Sequence, residues 1–162
     1  MVDRIEFLTT NFPKYVAPPD EFKNLHFEEN IHIICKNLPY RKIAKRVAIH
    51  LVYDYLQNPT IKFPPFYLTK DLFLSEWRLF INGFDSQISR WQKASILVFD
   101  GFDETASQRE LSYISNFIVP LMGKIPLILI SAGNLTEDVL KKFNALSFGV
   151  QLCEIKELCI GE

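Results

Sequence analysis

Four short apolar runs interrupt the chain: "IHIIC" at 31–35, "ASILVF" at 94–99, "IPLILI" at 125–130 and "GVQLCEI" at 149–155. The first three hold almost no polar residue, which is how strands covered on both faces read, so they are expected in the middle of a sheet. A fifth segment, "FPPFYL" at 63–68, contains Pro64 and Pro65. Proline donates no ladder hydrogen bond, and this predicts an edge strand or a late start.

Helical periodicity fills the gaps. Ile43, Val47, Leu51 and Tyr55 recur every fourth residue, with Lys45, Arg46 and Asp54 on other faces, and "NP" at 58–59 ends the pattern. A second helix is expected over about 70–82. A third starts near Ser107, where "SQRE" has the form of a capping box, and ends before Pro120 or Gly123. A fourth follows in "NLTEDVLKKF", with Thr136 as its N-cap. Strands alternating with helices of crossover length predict an α/β protein: a three-layer αβα domain on a mainly parallel five-stranded sheet. The expected organisation is one domain over 1–162, with residues 1–27 as an extension packed on it or leading into it.

Composition narrows the classes. Apolar residues make up 48% and charged residues 23%, which argues against disorder. The net charge of −1 supplies no global field toward nucleic acid or an anionic membrane, although a local basic patch remains open. Cys35, Cys153 and Cys159 are odd in number and form no CxxC pair, as expected of free thiols in a reducing compartment. No run approaches the roughly 18 apolar residues of a membrane span, so the expectation is a soluble cytoplasmic chain with no membrane partner. His26, His32 and His50 are too scattered for a metal site, and no metal is expected.

Three stretches bear on chemistry. "KNLPYRKI" at 36–43 lies between a strand and a helix, where a phosphate-gripping loop belongs, but of the G-x-x-x-x-G-K-[ST] pattern only Lys42 is present. A phosphate cradle needs glycines so that successive backbone N–H groups turn inward, and a final hydroxyl for magnesium. Lys36 and Arg41 stand at the glycine positions and Ile43 at the hydroxyl. In "SILVFDGFDE", a buried strand ending in Asp100 sets a carboxylate at the carboxyl edge of the sheet, where α/β proteins place ligands. The next residue is Gly101, and Asp103 and Glu104 come later or favour the next helix start. In "PLILISAGNLTEDVL", Asn134 stands after a strand at the same edge and suits either phosphate contact or a turn.

Taken in order, these stretches resemble the AAA+ ATPase core, in the branch that includes the bacterial replication initiator DnaA, its regulator Hda and the helicase loader DnaC. The resemblance spans about residues 28–158: "SILVFDGFDE" at the Walker B position, "LISAGNLTEDVL" at sensor 1, and "LSFGVQLCEIKEL" near the arginine-finger segment. It implies a P-loop NTPase fold in which Lys42, Asp100 and Asn134 are vestiges of a nucleotide site. Ala145 or its neighbours replace the finger arginine, and the sequence stops near the fifth strand, without the lid of those relatives. With so little electrostatic preorganisation left for phosphoryl transfer, the expectation is a non-enzymatic chain with no cofactor.

The helix "KDLFLSEWRLFIN" is apolar nearly all round, which means either burial or a surface for another chain. Phe73, Trp77 and Phe80 are the candidate anchors, and Arg41, Lys45 and Arg46 form a basic run for an anion or simply a solvated face. The resemblance implies a partner in the replication machinery (initiator, helicase loader or clamp component); a homodimer is a further option and a DNA contact is left open. Two rivals remain, a weak ATP-binding ATPase using Lys42, Asp100 and Asn134, and a structural clamp-loader-type subunit.

Overall fold

The computed structural model describes residues 3–102, 107–132 and 156–161. Among these the chain forms helix α1 (Arg4–Leu8), strand β1 (Ile31–Ile34), helix α2 (Arg41–Tyr55), strand β2 (Phe66–Thr69), helices α3 (Lys70–Ile81) and α4 (Ile88–Trp91), strand β3 (Leu97–Asp100), helix α5 (Gln108–Ile118) and strands β4 (Leu127–Ser131) and β5 (Lys156–Cys159). The five strands make one sheet in the order β2-β3-β4-β1-β5, with every pairing parallel. The expected α/β class, a mainly parallel five-stranded sheet in three layers, is what is found.

The continuous apolar character of the central strands follows from coverage on both faces. Ile31, Ile33, Ile96, Val98, Ile128 and Ile130 face one core, where Val47, Leu51 and Val52 of α2 meet them. Leu97, Phe99, Leu127 and Leu129 face the other, with Phe73, Leu74 and Trp77 of α3 and Ile114, Phe117 and Ile118 of α5. β2 begins only after Pro64 and Pro65 and lies at the sheet edge, as proline chemistry requires. Thr69 caps α3 by accepting from the Leu72 backbone N–H, and Ser107 caps α5 by accepting from Arg109 and Glu110.

A fifth strand is described at Lys156–Cys159; the run at 149–155 that is expected as a strand lies outside the described residues. An edge strand has a partner on one side only and tolerates charge, so "KELC" carries no apolar signature. The fourth predicted helix, after Asn134, is also outside the described residues. Two short helices, α1 and α4, were not foreseen, because five and four residues are too few to display a period.

The amino-terminal segment packs on the α2 side of the sheet. Leu8 and Phe12 are buried there, and Phe12 meets the rings of Tyr53 and Tyr67 at 6.2 Å each. Arg4 donates to the carbonyls of Leu56 and Ile61, tying α1 to the segment that follows α2. Asp54 accepts from the Phe27 backbone N–H and pairs with His26 at 2.9 Å, while His50 bridges Tyr15 and the Leu25 carbonyl. No helix among the described residues is long and apolar enough to cross a membrane.

Candidate functional site

The strand order brings the carboxyl ends of β1 and β3 to either side of β4. The Cys35 N–H donates to the Ser131 carbonyl and the Gly101 N–H to the Ile130 carbonyl. The turn after β1 and the end of β3 therefore share one edge, and α2 starts between them.

At that edge Asp100 meets a guanidinium and a phenol from two other elements. Arg41, the first residue of α2, places Nη1 3.5 Å from Asp100 Oδ1, with both side chains 19% exposed. Tyr67 of β2 donates its hydroxyl to Asp100 Oδ2 at 2.6 Å. Burial, then the adjacent Asp100 charge and this hydrogen bond, push the Tyr67 phenol far above its ordinary range, so it remains a donor. Lys45, one turn after Arg41, holds Nζ 5.2 Å above the Tyr67 ring. Each carboxylate oxygen thus already has a partner, and the nearest positive charge belongs to the protein.

The turn between β1 and α2 has its own geometry. Leu38–Tyr40 form a single 3-10 turn that runs straight into α2, with Pro39 near its start. Positive φ among the described residues occurs only at Gly83, Gly101, Gly123 and Gly161, none of them in this turn. An anion-binding nest alternates right- and left-handed residues so that successive N–H groups converge, and this turn has no left-handed residue to do so. Its outer side is occupied as well: Asn37 Nδ2 donates to the Gly161 carbonyl, and the Tyr40 ring lies against Gly161.

Behind the turn sit three buried groups. His32 of β1 and Ser131 of β4 meet through Nε2 and Oγ at 2.6 Å, with the Phe102 ring 5.9 Å from the imidazole. Cys35 donates its thiol to the Asn37 carbonyl at 3.3 Å; burial raises its pKa, and the nearby Arg41 charge opposes that rise. A thiol held protonated is a poor nucleophile.

The sequence-predicted residues therefore divide. Arg41 and Asp100 come together, whereas Lys42 is exposed on the first turn of α2. The basic run is not one face: Arg41 turns inward, Lys45 lies over Tyr67, and Arg46 is exposed. Asn134, Asp103, Glu104 and Ala145 lie outside the described residues. Two of the proposed contact anchors are corrected: Phe73 is fully buried and Trp77 is 7% exposed, both packed against Phe117, because α3 must cover the sheet. Phe80 is 43% exposed. Tyr67 was not foreseen; its signal was a tyrosine inside an apolar strand, whose hydroxyl needs a partner when covered.

No family model matches the chain, and no curated protein matches it. Solved structures similar to it include the following two, both at low identity. AMPPCP-bound DnaA from Aquifex aeolicus is 12% identical, with 98% of this chain and 48% of that one covered, at a TM-score of 0.49. The Aeropyrum pernix Orc1 protein in complex with DNA is 13% identical, with 98% and 49% covered, at a TM-score of 0.47. The chain spans about half the length of each.

Proposed function

We propose that this chain is a non-catalytic, AAA+-like protein-interaction module of the DNA replication machinery, acting on an initiator, a helicase loader or a clamp component. The observation that carries the non-catalytic part is the Arg41–Asp100–Tyr67 cluster. In the AAA+ pattern that Asp100 resembles, the carboxylate serves a magnesium ion; here a guanidinium from the second glycine position supplies the positive charge. A turn without left-handed residues, closed on its outer side by Gly161, adds to this. These residues do not fit a triphosphate with its metal.

The replication role rests on the resemblance of the ordered segments to the DnaA, Hda and DnaC branch. A fold retained without a cradle serves as a shaped surface, and the exposed side chains of Phe80, Lys42 and Arg46 are the first positions to test for contact. Titration with a fluorescent ATP analogue and magnesium should give no saturable binding below about 1 mM. Micromolar binding lost in Lys42→Ala would instead establish the ATP-binding reading. Direct binding measurements against purified initiator, loader and clamp separate the partner classes, and failure of all three removes the replication role.

A further inference from the structure

Leu72, Leu79, Phe80, Ile81 and Phe84 lie on α3 or just beyond its end, and all are exposed. Packing against the sheet does not need Leu72 or Leu79, because Phe73, Leu74 and Trp77 fill that role on the opposite side of the helix. Their order along the helix has a second regularity. Asp71-Leu72 and Arg78-Leu79 are the same kind of dipeptide, charge then leucine, seven residues apart. Seven residues make two turns, so both pairs lie on one flank, with the small Ser75 midway between them. Asp71, Leu72, Ser75, Arg78 and Leu79 are all exposed.

The helix dipole accounts for an acid in the first turn and a base in the last, but it does not account for two exposed leucines beside them. A second α3 running the opposite way accounts for all four. With a two-fold axis near Ser75, Leu72 meets the partner's Leu79, and Asp71 comes beside the partner's Arg78; the same contacts then repeat by symmetry. Ser75 at the axis permits close approach, and the two helix dipoles oppose each other. A parallel arrangement would bring acid level with acid, base level with base and each charge beside a leucine, so the charges select the antiparallel one.

We propose that two copies of this chain associate through antiparallel contact of their α3 helices. The inference is independent of the nucleotide-site reading: ligand titration tests one and oligomeric state the other.

Sedimentation velocity of the full chain from about 1 to about 500 µM should show a reversible dimer. Asp71→Arg and Arg78→Asp should each raise the dissociation constant about tenfold, since each reversal acts at two symmetry-related pairs. The double variant D71R/R78D restores both pairs with reversed sign and should return the constant to within about threefold of the parent. Leu79→Ser, which leaves every charge in place, should weaken the dimer about tenfold or more. Thermal melts verify that each variant is folded. A chain that is monomeric throughout, a dimer indifferent to the single reversals or to Leu79→Ser, or a double variant no better than the singles overturns the proposal.

Discussion

Asp100 is held by a guanidinium on one oxygen and a phenol on the other, and the phenol offers a direct readout of this pairing. Tyrosine ordinarily ionises near pH 10, but burial and the Asp100 charge raise Tyr67 well above that. Below pH 10 the phenol is protonated in folded and unfolded chains alike, so its contribution to stability is complete; it declines only as pH rises past that value. In an alkaline titration followed by tyrosinate absorbance, one tyrosine should ionise only on unfolding, and Tyr67→Phe should remove that late component. If all tyrosines titrate together near pH 10, the Asp100 contact is absent. A second residue pair behaves in the same direction at lower pH. The hydrogen bond and charge of Asp54 raise His26 above its usual 6.5, so this contact is complete below pH 6.5 and fades as pH rises through the raised value. Proton NMR should show His26 titrating above 6.5 and returning to the ordinary value in Asp54→Asn. No change between the two proteins would mean that His26 and Asp54 are not paired in solution.

On the sheet-facing side of helix α3 burial divides between a covered middle and an open carboxyl end, and substitutions should separate the two. Phe73 is fully buried among Trp77, Phe99 and Phe117, so Phe73→Ala should cost about 3–5 kcal/mol in urea unfolding. Phe80 touches only the rim of that cluster, at 5.2 Å from the Trp77 ring, and Phe80→Ala should cost about 1 kcal/mol. Equal costs would contradict this division. The run "KDLFLSEWRLFIN" is long enough to predict a helix over about 70–82, and the structure has it at Lys70–Ile81. The run did not show which of the seven apolar residues face the sheet: with apolar residues nearly all round, the period is blurred. The short helices and β5 were illegible for the opposite reason, carrying too few apolar positions to register.

The candidate site joins segments far apart in the chain, and one of its closures is the contact between residue 161 and the turn at 37–40. Gly161 has φ +74°, and a Cβ there would come 2.5 Å from Tyr40 Cγ. Gly161→Ala should therefore displace residue 161 from the turn and cost about 1–3 kcal/mol, measured by urea unfolding; a parental transition would show that the turn does not depend on this contact. Apolar runs, proline positions and capping residues were enough to derive the α/β class, the central strands and the main helices, since these depend on local backbone preference and on burial of one face or two. The absence of glycines around Lys42 was equally visible, being a matter of residue type alone. That Arg41 turns inward to Asp100, that Tyr67 completes the pair, and that Phe73 and Trp77 belong to the core while Phe80 does not are consequences of strand order. Those contacts form between elements separated by tens of residues, and their geometry exists only once the sheet has been assembled.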